Sequence, residues 1–138
     1  MKVKLIHPNA KSPRKPKDGD AGHDLFCCEQ VFIPAKTRAC ANTGVCLEIP
    51  NGIVGLIWPR SGYAVDFGLD TLAGVIDSSY RGEVKVLLYN TGDKDILLDS
   101  GAKIAQVLFQ NYLTYDFDVV ESLDETERGA NGFGSSGQ

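Results

Sequence analysis

A carboxylate and an aromatic side chain stand close together in GVIDSSYRGEVKVLLYN, residues 74–90. Asp77 precedes Tyr80 by three residues, and after Gly82 apolar side chains recur at every second position, which predicts a strand. We therefore expect a hairpin with Asp77 and Tyr80 at its mouth. A carboxylate there can take a proton from an attacking water while the ring lies under a sugar. The alternative is a turn-forming Asp beside a core Tyr.

Two further segments carry groups that suit phosphate oxygens. Pro59-Arg60-Ser61-Gly62 combines a guanidinium, a hydroxyl and an open backbone, and a short helix beginning near Ser61 would add free N–H groups. Gln106 interrupts an apolar run and needs a polar partner if it is buried. Each also has a structural alternative, a plain turn in one case and a satisfied core amide in the other.

The C-terminal segment 127–138, ERGANGFGSSGQ, is rich in Gly and Ser. Such a composition predicts disorder, and a flexible terminus without a task is one interpretation. The other interpretation is a phosphate-binding lid. Glycine N–H groups would wrap phosphates, Ser135 and Ser136 would donate hydroxyls, and Phe133 would stack on a base.

These groups need a scaffold, and the pattern of apolar residues predicts a β one. Short strands are expected at 2–6, 31–33, 44–49, 53–58, 84–89, 96–98, 103–109 and 115–120, separated by turns rich in Gly, Pro, Asn and Asp. Their even spacing predicts an all-β sandwich or barrel, with a helical turn or two after Ser61. We expect one domain over 1–138, with a β core to about 125 and an arm from 126 to 138.

Charge and cysteine usage narrow the function classes. A net charge of −4 and a pI near 5.1 do not favour nucleic acid or an anionic membrane as a partner. No apolar run is long enough to span a bilayer and no signal-type segment begins the chain, so we expect a cytoplasmic or otherwise intracellular protein. The four cysteines lack zinc-finger spacing and are expected to be reduced thiols. Neither a Walker motif nor GxSxG is present.

Taken in order, five segments resemble the five motifs of the trimeric deoxyuridine triphosphate nucleotidohydrolase family, the dUTPases. They lie at 21–25, 59–62, 73–83, 101–106 and 128–137. The resemblance implies a jelly-roll-like β fold and a homotrimer whose three active sites are each built from all subunits. It also implies hydrolysis of dUTP to dUMP and pyrophosphate with Mg²⁺, which removes a precursor of uracil in DNA and supplies the dTMP precursor.

The same resemblance assigns roles to residues. Asp77 would activate the water that attacks the α-phosphate, and Tyr80 would pack against the deoxyribose and exclude a 2′-hydroxyl. Asp24 would hold a magnesium-bound water. The backbone of Gly74, Val75 and Ile76 would bind uracil. The phosphate ligands would be Arg60, Ser61, Gly62 and Gln106, and the arm would contribute Arg128, Phe133 stacked over uracil, Gly134, Ser135 and Ser136.

Some positions depart from the family pattern. His23 stands where an apolar or aromatic residue is usual, Ser79 replaces a common acid, and Thr71 occupies a position that is an asparagine in some members. Two other functions remain open. Deoxycytidine triphosphate deaminases resemble dUTPases but need an acid placed at the base and a different tail. A nucleotide-sensing or protein-binding homologue would have lost catalysis, against which the intact Asp77 and Arg60 argue.

Overall fold

The fold is nearly all β, as the sequence predicts. A computed structural model describes residues 1–132. The strands are β1 (Lys2–Leu5), β2 (His23–Phe26), β3 (Val31–Ile33), β4 (Arg38–Glu48), β5 (Ile53–Trp58), β6 (Leu69–Leu72), β7 (Val75–Ile76), β8 (Glu83–Asn90), β9 (Ile96–Leu98) and β10 (Lys103–Asn111), and the helix is α1 (Ser61–Phe67).

Two four-stranded sheets form a jelly-roll-like sandwich. Their strand orders are β1-β4-β8-β6 and β2-β10-β5-β7, and β3 and β9 form a small third sheet. The pairings within them are antiparallel. Every second residue of β8 is buried, namely Val84, Val86, Leu88 and Asn90. The three apolar side chains, Val84, Val86 and Leu88, share one core with Ala105 and Val107 of the opposite sheet.

The buried amide of Asn90 closes the turn after β8. Its Nδ2 donates to the carbonyl oxygens of Ile33, at 3.1 Å, and Lys94, at 2.8 Å, while its Oδ1 accepts from the Gly92 N–H. A fully buried amide is tolerated because its polar atoms are paired. The contact ties the strand that follows the candidate catalytic turn to β3 and its partner β9.

Most predicted strands are confirmed, but one is wrong. Residues 115–120 form no strand, and their side chains are exposed. Their alternating pattern is genuine, but within the described residues of one chain no partner strand lies beside them. Three strands were missed: β2, β6 and β7. The buried charge of Asp24 hides the apolar pattern of β2, and the other two are only four and two residues long.

The predicted hairpin around Asp77 is also wrong in its pairing. Strand β7 pairs with β5, whereas β8 pairs with β4 and β6. The segment between Ile76 and Glu83 therefore crosses from one sheet to the other instead of joining two neighbours. A crossing segment of this kind stands at the rim of the sandwich, where side chains reach solvent.

Beyond Asn111 the described chain has no regular element. Several large apolar side chains in this stretch are exposed: Leu113, Tyr115, Phe117, Val119, Val120 and Leu123. In the described part of the chain, no helix has both the length and the apolar character needed to cross a membrane.

Candidate functional site

One row of side chains crosses three strands on the outer face of the second sheet. Asp24 of β2 lies opposite Gln106 of β10, and Gln106 lies opposite Trp58 of β5. The neighbouring residues Ala105 and Val107 point inward and are fully buried. Because side chains alternate between the faces of a strand, Gln106 and its two partners face outward together. Three of the sequence segments discussed above therefore meet here.

Asp24 is a buried carboxylate between two cations. Its side chain is 5% exposed, with Arg60 Nε 3.3 Å from Oδ1 and Lys103 Nζ 2.8 Å from Oδ2. Oδ2 is covered from solvent, and among the described residues it has the Lys103 ammonium beside it but no hydrogen bond. A buried charge is retained only when it is paired. Here one anion meets two cations, so the cluster carries a net positive charge.

The Gln106 carboxamide connects this cluster to the Pro59-Arg60-Ser61-Gly62 segment. Its Nε2 donates to the Pro59 carbonyl oxygen at 2.9 Å. Gln106 also lines a cavity of about 340 Å³ together with Gly22, Trp58 and Leu108. Gln106 is only partly buried, and the polar partner of its amide is the backbone carbonyl immediately before Arg60.

The predicted helix after the arginine is confirmed as α1. Arg60 is its N-cap residue and has extended backbone angles, without a side-chain cap. Ser61 and Gly62 are exposed, and the space that a Cβ would occupy at Gly62 is open. The Arg60 guanidinium lies 5.8 Å from the ring centroid of Tyr63, a cation–π contact. Arg60 is therefore held between an anion and an aromatic face.

Asp77 and Tyr80 lie on the crossing segment between β7 and β8. Both are exposed, and the Tyr80 N–H donates to the Asp77 carbonyl oxygen. The Tyr80 hydroxyl donates to the Glu83 carbonyl oxygen at 3.0 Å. The ring lies against Gly82, where a Cβ would be 2.4 Å from the Tyr80 hydroxyl oxygen. Tyr80 is thus anchored at both ends of a tight turn, and the Asp77 carboxylate is open to solvent.

The predicted uracil-binding backbone forms an edge strand. Gly74, with φ +107°, follows Ala73, with φ +59°. The Gly74 carbonyl oxygen accepts from the Ile57 N–H at 2.8 Å, and β7 then pairs with β5 along one side. Since β7 is the last strand of its sheet, its other side carries unpaired N–H and C=O groups in the described chain. Such groups can recognise a flat polar ring.

Within one chain, the structure separates Asp77 from the Arg60 cluster. Strands β5 and β7 run antiparallel with Ile76 beside Gly55, so Asp77 continues towards Val54. Arg60 follows the opposite end of β5. At about 3.3 Å per residue, the six residues from position 54 to 60 put roughly 20 Å between the two. The candidate base and the candidate phosphate ligands of one copy therefore do not face each other.

The described part of the arm lies apart from both groups. Arg128 is exposed, and its Nε donates to the Asn131 carbonyl oxygen at 2.9 Å in a local turn. Phe133, Gly134, Ser135 and Ser136 lie outside the described residues.

The sequence analysis missed two members of the cluster, Lys103 and Trp58. Lys103 is three residues before Gln106, so strict alternation would put them on opposite faces. A register shift between Lys103 and Ala105 returns the lysine to the Asp24 side. Trp58 is 55% exposed, and its register opposite Gln106 follows from the pairing of β5 with β10. An apolar residue at the end of a strand gave no signal of this position.

The side chains whose pKa values are shifted, Cys28 and Asp93, do not belong to the Asp24 cluster. Burial, together with Glu29 and Glu83, raises the pKa of the Cys28 thiol. A hydrogen bond from Lys36 lowers the pKa of the exposed Asp93 carboxyl. Neither side chain contacts the Asp24 cluster, so the chemistry proposed for that cluster has to rest on its geometry and charge.

Comparison with known proteins decides the family. The dUTPase family model matches residues 8–137. The chain belongs to the dUTPase family. It is 45% identical to the deoxyuridine 5′-triphosphate nucleotidohydrolase of Paramecium bursaria Chlorella virus 1 over 98% of this chain and 96% of the relative. The Kluyveromyces lactis enzyme of the same name is 42% identical, over 100% of this chain and 94% of the relative.

Solved dUTPase structures agree with the fold. A mutant of the Staphylococcus bacteriophage 80alpha dUTPase with dUpNHpp superposes with a TM-score of 0.92 at 29% identity, covering 99% of this chain and 98% of that one. A mutant dUTPase from phage phi11 of S. aureus, described for its structural Mg(II) ion, gives 0.81 at 26% identity, covering 88% and 96%. The residues matched by the dUTPase family model, 8–137, include all five segments that resemble the family's motifs.

Proposed function

We propose that this protein hydrolyses dUTP to dUMP and pyrophosphate. The observation that carries the proposal is the cluster of Asp24, Arg60, Lys103 and Gln106, which has a net positive charge, in a chain of the dUTPase family. Arginine, lysine and amide donors that converge on one outer face suit a polyphosphate. The acidic protein as a whole repels anions, so this local convergence is what would hold the substrate.

In the proposed reaction, Asp77 is the general base. Its exposed carboxylate takes a proton from a water as the water oxygen attacks the α-phosphorus. The bond from that phosphorus to the bridging oxygen breaks, and pyrophosphate leaves. Arg60, Ser61, Gly62 and Gln106 bind the phosphates and stabilise the charge that develops on them.

Base and sugar recognition would come from the strand and turn beside Asp77. The unpaired side of β7 at Gly74, Val75 and Ile76 offers backbone donors and acceptors to uracil. Tyr80, anchored on Gly82 and the Glu83 carbonyl oxygen, would lie under the deoxyribose and leave no room for a 2′-hydroxyl. In this proposal, β7 binds the base and Tyr80 packs against the sugar without any movement of the β core.

Magnesium fits this donor set as a substrate-borne ion. No group of three His, Cys, Asp or Glu side chains converges among residues 1–132, so these residues offer no all-protein cage. Mg²⁺ commonly keeps several waters and binds through substrate phosphates with one or two carboxylates. Asp24 would accept from such a metal-bound water through Oδ2, which has no hydrogen bond and would become accessible when the Lys103 side chain moves aside. When bound, the ion would offset phosphate charge.

We also propose a homotrimer with shared active sites. The roughly 20 Å between Asp77 and Arg60 in one copy is too far for both to act on one triphosphate. A neighbouring copy must then supply the other half. The exposed, alternating apolar residues at 115–120 support exchange between copies, because they match a strand that has no partner among residues 1–132 of its own chain.

The arm would complete each site. Arg128 with Phe133, Gly134, Ser135 and Ser136 would close over a neighbour's substrate, as the family pattern implies, with Phe133 stacked over uracil. In this proposal the chain acts as one unit, a core followed by an arm from residue 126.

All four cysteines are free, which supports a reducing, intracellular location.

The test is a product assay with purified protein and Mg²⁺. Pyrophosphate release from dUTP should greatly exceed release from UTP, dCTP and dTTP. Ammonia from dCTP would instead assign the chain to the deaminases, and no product from any of these nucleotides would leave only a binding function.

A further inference from the structure

Gly22 precedes β2 and is buried against the Gln106 side chain. A Cβ at position 22 would lie 2.0 Å from Gln106 Oε1 and 2.9 Å from its Cδ. The backbone does not require glycine here, because Gly22 is not among the residues with positive φ. The Gln106 carboxamide therefore excludes a side chain from this position.

The Gln106 amide is fixed on two sides. The Pro59 carbonyl oxygen can only accept, so Nε2 must face it, and the contact is 2.9 Å. This orientation turns Oε1 towards Gly22. The second hydrogen of Nε2 has no acceptor among residues 1–132, and the amide lines the 340 Å³ cavity beside Trp58.

We propose that Gly22 is a positioning residue for phosphate binding. Its missing side chain lets the Gln106 carboxamide lie flat on the backbone, bound to Pro59 with one hydrogen and presenting the other to a phosphate oxygen. A methyl group at position 22 displaces the carboxamide and with it the segment that carries Arg60. The inference rests on the proposed function in taking a phosphate as the ligand of Gln106.

Binding of the non-hydrolysable analogue dUpNHpp with Mg²⁺ tests this without turnover. Trp58 is the only tryptophan, and it lies opposite Gln106, so its fluorescence is the readout. Gly22→Ala is expected to weaken dUpNHpp binding about tenfold or more, the effect of losing a hydrogen bond to a charged group. The control is Gly19→Ala in the same loop. Gly19 has φ +92° and no atom within 4 Å of its Cβ position, so this change strains the fold without touching Gln106.

A double-mutant cycle assigns the effect to Gln106. Gln106→Ala removes the two atoms within 3.0 Å of the new Cβ and leaves only its own Cβ at 3.3 Å, so Gly22→Ala/Gln106→Ala should bind dUpNHpp nearly as Gln106→Ala alone does. Wild-type affinity in Gly22→Ala, or losses that simply add in the double variant, would overturn the proposal. A loss in Gly19→Ala equal to that in Gly22→Ala would also overturn it, because general strain would then explain both.

Thermal melting covers the case in which Gly22→Ala does not fold. The double variant should then fold and melt at a higher temperature than Gly22→Ala, because the close contact is relieved; equal melting of the two variants would contradict the proposal. Melting needs no substrate, so the Gly22 and Gln106 contact is tested even if the wild type neither binds dUpNHpp nor hydrolyses dUTP. That second result would count against the proposed function instead.

Discussion

At the scale of single residues, the pairing of Asp24 with two cations explains how Arg60 could turn away from it to bind a substrate phosphate. A buried carboxylate with a single cation would lose its only partner if that cation moved to a phosphate, at a cost of several kcal/mol. Here Lys103 lies 2.8 Å from Oδ2 while Arg60 lies 3.3 Å from Oδ1. Lys103 can keep Asp24 paired while Arg60 turns to an anion. In the proposed site, Arg60 could therefore move to a phosphate without leaving the buried Asp24 charge unpaired.

Asp77→Asn should bind dUpNHpp with near wild-type affinity and hydrolyse dUTP about 10²–10⁴-fold more slowly. The amide has nearly the same shape but cannot take a proton from water. Steady-state kinetics with pyrophosphate detection, beside fluorescence binding, measures both quantities. Near-normal turnover in this variant would refute Asp77 as the base.

Gly82→Ala should reduce sugar discrimination. The new Cβ would lie 2.4 Å from the Tyr80 hydroxyl oxygen and 2.6 Å from its Cζ, so the ring must leave its place. We expect the ratio of kcat/KM for dUTP over UTP to fall by about tenfold. Tyr80→Phe is the control, because it keeps the ring and loses only the bond to the Glu83 carbonyl oxygen. An unchanged ratio in Gly82→Ala would separate Tyr80 from sugar selection.

At the scale of elements, the sequence predicts strands whose apolar residues form a local pattern, whatever their length. The three-residue strands β3 and β9 were predicted, whereas the first six residues of the eleven-residue β4 were not. Strand β8 and its turn were predicted because Val84, Val86 and Leu88 alternate over a full strand. Strand β7 has two residues, and its pairing with β5 comes from contacts distant in sequence. No local pattern encodes such a pairing, which explains the mistaken hairpin.

The same limit applies to the candidate site: the sequence indicates which side chains could act, but not the contacts that depend on strand pairing. Arg60 and Gln106 are recognisable as polar groups in apolar surroundings, and the structure joins them through Pro59. Lys103 was missed because a β-bulge turns its side chain to the other face of the sheet. A bulge depends on backbone pairing that a single sequence does not show. The family resemblance supplied the role of Asp24, while its burial between two cations came only from the fold.

Removal of residues 128–138 should lower turnover far more than stability. The described part of this segment is exposed, so its loss removes few buried contacts. If it closes over bound substrate, its loss admits water and removes phosphate donors. Pyrophosphate release and thermal melting of the truncated chain provide the comparison. Wild-type turnover after truncation would show that the arm has no part in the reaction.

At the scale of the whole molecule, a single chain exposes surfaces that the proposed trimer would bury between its subunits. The alternating apolar residues 115–120 are accessible, and the edge strand β1 has all four residues exposed. A soluble chain seldom leaves so many large apolar side chains uncovered unless a partner covers them. The separation of Asp77 from Arg60 supports the same proposal, because the proposed base and the proposed phosphate ligands of one copy do not face each other.

Mixing two inactive variants tests this sharing directly. Asp77→Asn retains the phosphate ligands, and Arg60→Ala retains the base. If each site combines Asp77 of one copy with Arg60 of a neighbour, refolding the two chains together at equal amounts makes three quarters of the trimers mixed. Each mixed trimer then contains one intact site of three, so activity should return to about one quarter of wild type. If one copy instead supplied both residues, no mixture would contain an intact site, and activity would stay at the level of the separate variants.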